Sequence, residues 1–287
     1  MNARCRFHRW MAAAPAALLF VAAPASGQQA VSFPRQDGHT VPATVYAPAV
    51  ATCLGVAILS PGAGGSEKGL AYLGKAMSAQ GYLAVVVGHQ ESGLRALRQH
   101  MRGRGLQGGL AALITDASAY EGRFMDIAAA KQWADTRCTG RESILLGHSM
   151  GAATVMIAAG AANKLGVRGS TRFDVYVALS PQGVSTIFPE HAWQGITSPV
   201  LMMTGTRDEE LGGLSWKTRT QPFDDMPAGC KWLGVVDNAT HGDFGGNGTT
   251  PGVKAIVART VRAFLSGVRG HDCGAPPSEP GITLRAK

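Results

Sequence analysis

Residues 147–151 read Gly-His-Ser-Met-Gly and lie between an apolar run, residues 144–146, and a small-residue stretch of helical character, residues 152–162. A serine flanked by glycines at a strand-to-helix junction is typical of a nucleophile elbow, whose turn is too tight for side chains at the flanking positions. The serine in such a turn is held in a strained backbone conformation that exposes its hydroxyl. The pattern therefore predicts Ser149 as a nucleophile and constrains the chain to alternating strands and helices.

The first 27 residues have the three-part layout of a secretory signal peptide. Three arginines precede an apolar run at about residues 11–23, and small residues end the segment. The apolar run is shorter than the roughly 20 residues that span a bilayer, so it does not predict a membrane anchor. We therefore expect a secreted or periplasmic protein whose mature part, residues 28–287, forms a single domain.

The charge balance gives little support for a polyanionic partner. Without the leader's three arginines the chain has 24 basic and 19 acidic residues, and the formal net charge falls from +8 to +5. A basic cluster at residues 95–104 has no interleaved aromatic residues and matches no nucleic-acid-binding motif. We expect a monomer with no nucleic-acid partner and no stable membrane anchor.

Four cysteines follow the leader, and an even number in an exported protein indicates up to two disulfides. Cys53 and Cys138 each precede a predicted core strand, so they share the sheet edge away from the nucleophile if those strands are neighbours. Cys230 opens the last predicted core strand, and Cys273 follows a helix that must run antiparallel to that strand. The expected pairs are Cys53 with Cys138 and Cys230 with Cys273.

Hydrophobic periodicity predicts a mostly parallel, doubly wound α/β sheet with helices on both faces and an N-terminal antiparallel hairpin at residues 31–46. Continuous apolar runs indicate strands buried on both faces. The predicted strands are residues 55–59, 82–87, 143–146, 173–179, 199–204 and 231–236, and the predicted helices are residues 66–80, 121–135, 152–162 and 253–265. Residues 89–120 are predicted to be irregular.

A serine hydroxyl is a poor nucleophile at neutral pH and needs a base that a third group orients. In this fold class the acid and then the base follow the serine along the chain, each beyond the carboxyl end of a strand. His241 follows the last predicted core strand and is the expected base. Asp208 follows the strand before it and is the expected acid, with Glu209 and Glu210 as open alternatives.

Acyl transfer also needs two backbone N–H groups directed at the developing oxyanion. Met150, directly after the nucleophile, is expected to supply one of them. Residues 60–65, Ser-Pro-Gly-Ala-Gly-Gly, are expected to supply the other from Ala63, with Gly64 as the alternative. The chain has no phosphate-binding, dinucleotide-binding or metal-ligand spacing, so we expect no cofactor and no metal.

Substrate preference is expected to depend on two loops, residues 181–197 and 211–227, which the sequence does not place in detail. Trp193, Trp216 and Phe223 in these loops are candidates to line a pocket, although each is equally compatible with the core.

Together these segments resemble the α/β-hydrolase superfamily, in particular the dienelactone-hydrolase-like group with its exported esterases, cutinase-type polyesterases and platelet-activating-factor acetylhydrolase-like enzymes. The resemblance covers residues 54–266 and depends on residues 59–66, 147–151, 204–209 and 239–244. It implies a serine esterase that cleaves carboxylic esters through an acyl-enzyme, with Ser149 as nucleophile, Asp208 as acid and His241 as base.

Three departures limit what the resemblance implies. Dienelactone hydrolases have a cysteine where this chain has Ser149, so their activity is not expected. Cutinase-type polyesterases typically have an aromatic residue in place of Ala63 and a further glycine in place of Ala152. A lipase or cutinase-like polyester hydrolase is therefore the second hypothesis. A non-catalytic ligand-binding protein on the same fold is the third.

Overall fold

The computed structural model describes residues 27–287, and the predicted leader, residues 1–27, lies outside the described part except for its last residue. The described strands are β1 (Gln28–Pro34), β2 (Thr40–Tyr46), β3 (Gly55–Ser60), β4 (Tyr82–Val87), β5 (Glu142–His148), β6 (Val175–Leu179), β7 (Val200–Arg207), β8 (Lys231–Thr240) and β9 (Ile282–Ala286). They form one sheet in the order β1-β2-β4-β3-β5-β6-β7-β8-β9.

The centre of the sheet is parallel and its edges are antiparallel. Strands β4, β3, β5, β6, β7 and β8 pair in parallel, whereas β1 with β2, β2 with β4 and β8 with β9 pair antiparallel. Every residue of β3, β4 and β6 is buried, as expected for strands covered on both faces. The predicted doubly wound sheet with an N-terminal hairpin is confirmed.

Helices cover both faces of this sheet. The described helices are α1 (Ala71–Ala79), α2 (Leu94–Met101), α3 (Gly105–Ile114), α4 (Ala117–Asp135), α5 (Met150–Ala159), α6 (Gln221–Asp225), α7 (His241–Phe244) and α8 (Val253–Arg269). One apolar cluster contains Phe124 of α4 and Val155 of α5, and a second contains Leu73 of α1 and Phe264 of α8. No helix within residues 27–287 is long and apolar enough to cross a membrane.

Two of the local predictions are wrong. The helix predicted from residue 66 begins only at Ala71, because the Gly69 N–H bonds the Ser66 carbonyl and Leu70 takes a φ of 52°, so turns precede the helix. Residues 89–120 are not irregular, because they contain α2, α3 and the start of α4. The glycines of α3 weaken its helical sequence pattern, so the helix was not predicted. Gly109 is needed for close packing, because a Cβ there would lie 2.7 Å from the Met101 Cα.

Both predicted disulfides are present. Cys53 and Cys138 have Cα atoms 5.6 Å apart, and they precede the neighbouring parallel strands β3 and β5. Cys230 and Cys273 have Cα atoms 5.3 Å apart at the start of β8 and beyond the end of α8. The links therefore tie the amino ends of the strands, and the carboxyl ends stay free to carry a site.

Candidate active site

Ser149 lies in the tight turn between β5 and α5, with φ 56° and ψ −119°. Few residues with a side chain adopt a positive φ, and those that do are enriched at functional sites. The turn leaves no room beside the serine: a Cβ on Gly147 would lie 2.2 Å from the Gly151 carbonyl oxygen, and a Cβ on Gly151 would lie 2.0 Å from the Ser60 carbonyl oxygen. The turn thus has the geometry that a nucleophile elbow requires.

Ser149, His241 and Asp208 form one hydrogen-bonded line across the carboxyl ends of β5, β7 and β8. His241 Nε2 lies 2.9 Å from Ser149 Oγ, and His241 Nδ1 lies 2.8 Å from Asp208 Oδ1. A carboxylate only accepts hydrogen bonds, so Nδ1 carries the ring proton and Nε2 is free to accept the serine proton. This is the arrangement that activates a serine hydroxyl.

The Asp208 side chain is fully buried among polar groups. Thr204 Oγ1 donates to its Oδ2 at 2.9 Å, and Arg219 Nε lies 3.1 Å from the same Oδ1 that faces His241. Burial alone would raise the pKa of Asp208, but the hydrogen bond from His241 and the charge of Arg219 hold this pKa below its ordinary value. The carboxylate is therefore ionised at neutral pH.

The two alternative acids are placed differently. Glu210 Oε1 accepts from the Gly183 N–H at 3.1 Å and from Thr218 Oγ1 at 2.7 Å, which ties that carboxylate to a neighbouring loop. Glu209 lines the cavity, and within the described residues His241 bonds the carboxylate of Asp208 rather than that of Glu209 or Glu210. Asp208 is the carboxylate that orients the ring.

Arg219 holds the backbone around Asp208, and sequence reasoning missed it. Its buried guanidinium donates to the carbonyl oxygens of Asp208 at 2.8 Å, Glu209 at 2.9 Å, and Ser180 and Pro181 at 3.0 Å. The end of β6 and the loop after β7 are thereby held by one side chain. Arg219 lies in one of the two loops that the sequence leaves unplaced, and no motif marks it.

His148, in the elbow itself, holds the backbone of His241. The two imidazole rings lie 4.8 Å apart, and His148 Nε2 donates to the His241 carbonyl oxygen at 2.9 Å. Burial, followed by the charge of His241, lowers the pKa of His148 to about 3. The ring is therefore neutral at physiological pH, and its proton is fixed on Nε2 by the carbonyl acceptor.

This buried neutral histidine predicts a pH-dependent loss of stability. The pKa of His148 is lowered from 6.5 to about 3 by folding, so the unfolded chain takes up its proton first. The free energy of unfolding therefore has its full value above about pH 6.5. It falls as the pH is lowered, by about 2 kcal/mol between pH 7 and pH 5. Urea unfolding at both pH values should show that His148→Gln, which does not titrate there, loses about 2 kcal/mol less than the wild type. An equal loss in both proteins would contradict this prediction.

The loop that contains Ala63 packs against Ser149, and Met150 directly follows Ser149 in the chain. A Cβ on Gly62 would lie 3.2 Å from the Ser149 Cβ. The Gly64 N–H donates to the Ser92 carbonyl at 2.8 Å and is therefore occupied. Within the described residues the Ala63 and Met150 N–H groups have no protein acceptor, the latter because Met150 begins α5. Ala63 rather than Gly64 is thus free to donate.

A cavity of about 580 Å³ opens beside Ser149 and His241. Its apolar lining includes Leu70, Leu110 and Ile114, the last two from α3, which the sequence did not predict. Trp193 and Phe223 are instead buried in the apolar core, and Trp216 does not belong to the cavity lining in the described part of the chain. Across residues 27–287, no group of three or more His, Cys, Asp or Glu residues is arranged to hold a metal ion.

No protein-family model matches the chain, and no curated protein matches it. Among solved structures, the chain is similar to the PEG-bound complex of a novel cold-adapted esterase from an Arctic intertidal metagenomic library. The TM-score is 0.54 at 20% sequence identity, over 81% of this chain and 91% of that one. The likeness confirms the predicted α/β-hydrolase fold.

Proposed function

We propose that the protein is an exported serine hydrolase that cleaves carboxylic esters. The observation that carries this proposal is the hydrogen-bonded line from Asp208 through His241 to Ser149, with Ser149 held at a positive φ in a glycine-flanked turn. The printed name of the similar structure, an esterase, points to the same reaction class.

In the proposed reaction, Ser149 Oγ attacks the ester carbonyl carbon while His241 Nε2 takes the hydroxyl proton. The tetrahedral oxyanion accepts hydrogen bonds from the Ala63 and Met150 N–H groups. Collapse of this intermediate breaks the bond to the alcohol oxygen, which takes the proton from His241. Water then attacks the acyl-enzyme by the same route and releases the acid. Asp208 stays ionised and stabilises the imidazolium that forms twice.

The cavity favours an ester with an apolar portion. Leu70, Leu110 and Ile114 offer an aliphatic surface beside the nucleophile. This surface also keeps a lipase or cutinase-like polyester hydrolase as the second candidate, because both act on extended apolar substrates. The absence of an aromatic side chain at Ala63 favours the simple esterase.

Export and domain organisation belong to the same proposal. We propose that residues 1–27 are removed as a signal peptide and that residues 28–287 act as one catalytic domain without a cofactor. Two disulfides support an oxidising compartment, since such bonds are rare in the cytosol.

Hydrolysis of p-nitrophenyl acetate, butyrate, octanoate and palmitate by the purified protein tests the proposal. We expect turnover of the short and medium esters, with kcat/KM lower for palmitate and no attack on an insoluble polyester. Highest activity on palmitate or on the polymer would favour the lipase or polyesterase instead. A folded protein that cleaves none of these esters and ignores a serine-directed phosphonate would contradict the proposal and support a binding role.

A further inference from the structure

A network of buried polar side chains joins the oxyanion loop, residues 60–65, and supplies none of the groups that react directly in the proposed reaction. Its core comprises Ser60, His89, Arg123 and Asp126, none of them more than 4% exposed. Burying a cation, a carboxylate and an imidazole together is costly unless each is hydrogen-bonded, so such a network calls for a specific explanation.

The network contains a second Ser-His-Asp line. Ser60 Oγ lies 2.9 Å from His89 Nε2, and His89 Nδ1 lies 2.9 Å from Asp126 Oδ2. Burial, followed by the charge of Arg123, holds the pKa of His89 well below its ordinary value, so the ring is neutral. The Ser60 hydroxyl has no exposed surface, and it also accepts from Arg123 Nη1 at 3.0 Å. No substrate reaches this serine, and the line is not a second reactive centre.

The network contacts the oxyanion loop directly. Arg123 Nη1 also donates to the Pro61 carbonyl oxygen at 2.8 Å, so one guanidinium nitrogen holds two successive residues of the loop. Beyond them, the Gly62 carbonyl accepts from the Gly65 N–H at 3.0 Å, which fixes the peptide group that also contains the Ala63 N–H. Hydrogen bonds on either side thus hold the Ala63 N–H, which has no protein acceptor within the described residues.

The other end of the network is anchored in rigid elements. Arg123 and Asp126 both belong to α4, a helix of 19 residues that packs on the sheet. Asp126 Oδ1 accepts from Arg35 Nη1 at 3.0 Å, and Arg35 Nη2 lies 2.6 Å from both Glu91 and Asp37. The network therefore connects the oxyanion loop to α4 and to the N-terminal hairpin.

We propose that Arg123 is a positioning residue for ester hydrolysis: with Ser60 and His89, it holds the oxyanion loop so that the Ala63 N–H meets the developing oxyanion. Arg123 bonds neither Ser149 nor His241 and acts through the loop alone. The inference rests on the proposed function of Ser149. Misplacement of an oxyanion donor by about 1 Å costs on the order of 10²-fold in rate, and its complete loss about 10²–10³-fold.

Four variants test this role: Arg123→Met, Arg123→Lys, Ser60→Ala and a control, Lys231→Met. Lys231 is also a buried cation that donates to a carbonyl, that of Thr197 at 3.2 Å, but it lies at the amino end of β8, away from the site. Ser60→Ala removes only a hydroxyl, and it replaces Arg123→Met as the test variant if Arg123→Met does not fold.

For Arg123→Met we expect kcat to fall about 10- to 100-fold with KM within about twofold of the wild type, because the donor acts on the transition state. Binding of a trifluoromethyl ketone, which adds to the serine and mimics the tetrahedral intermediate, should weaken by a similar factor. Arg123→Lys should recover part of kcat, and Lys231→Met should leave kcat unchanged.

Amide hydrogen exchange across residues 62–65 gives a readout that needs no turnover. Exchange should be faster in Arg123→Met and Ser60→Ala than in the wild type, and unchanged in Lys231→Met. A folded Arg123→Met protein with kcat within twofold of the wild type, or with unchanged exchange in the loop, would overturn the inference. If the wild type cleaves no ester, the proposed function is wrong, and the exchange measurement still decides whether Arg123 orders the loop.

Discussion

Replacing Ser149 with alanine is expected to lower kcat for p-nitrophenyl butyrate by about 10⁵- to 10⁶-fold, the loss found when a triad nucleophile is removed. The residual rate would come from the oxyanion donors and substrate binding alone. Alanine differs from serine only in lacking the hydroxyl, so the turn at φ 56° should persist and the melting temperature should change little. Steady-state kinetics and thermal unfolding of the same preparation separate the two effects.

Ser143→Ala is the matched control for this substitution. Ser143 lies at the opposite end of the same strand, β5, where its hydroxyl donates to Asp174 Oδ2 at 2.7 Å. This change should lower stability modestly and leave kcat unaffected. A Ser149→Ala protein that retains more than about a hundredth of the wild-type kcat would contradict the role given to Ser149.

Replacing Asp208 with asparagine is expected to lower kcat by about 10⁴-fold. An amide that presents its NH₂ group to His241 Nδ1 forces the ring proton onto Nε2, which then cannot accept the proton of Ser149. The substitution also leaves the buried guanidinium of Arg219 without its carboxylate, and we expect a stability loss of about 3 kcal/mol. Kinetics and urea unfolding measure the two consequences.

Glu209→Gln and Glu210→Gln are the controls for Asp208→Asn, because each replaces a neighbouring carboxylate with an amide of similar size. Neither carboxylate bonds His241, and each change should alter kcat by less than about tenfold. A larger loss of kcat in Glu209→Gln than in Asp208→Asn would show that Asp208 is not the acid. A loss confined to Asp208→Asn would support the geometry.

Much of the fold and of the candidate site could be predicted because the site residues and the cysteines lie at the ends of core strands. Apolar runs located the core strands, and the carboxyl ends of parallel strands meet at one edge, so residues that follow them come together whatever their separation in sequence. Ser149, Asp208 and His241 each follow such a strand and are therefore expected within contact range of one another. The same topology applied to the amino ends paired Cys53 with Cys138.

The residues that support the site could not be predicted in this way. Arg123 lies 63 positions from Ser60 on a helix whose other buried residues are mostly small or apolar, and Arg219 lies in a loop without periodicity. Their partners are mostly backbone carbonyls, which every residue has, so no residue type in the sequence marks the contact. The cavity wall from α3 was missed for a related reason, because glycines that permit close helix packing weaken the helical pattern.

The most direct test of the central claim is reaction of the folded protein with a fluorophosphonate, followed by mass spectrometry of the intact chain and its peptides. We expect a single adduct, located on the peptide that contains Ser149, and none in Ser149→Ala. A folded wild-type protein that forms no adduct, or one that carries it on another residue, would contradict the assignment of Ser149 as the nucleophile.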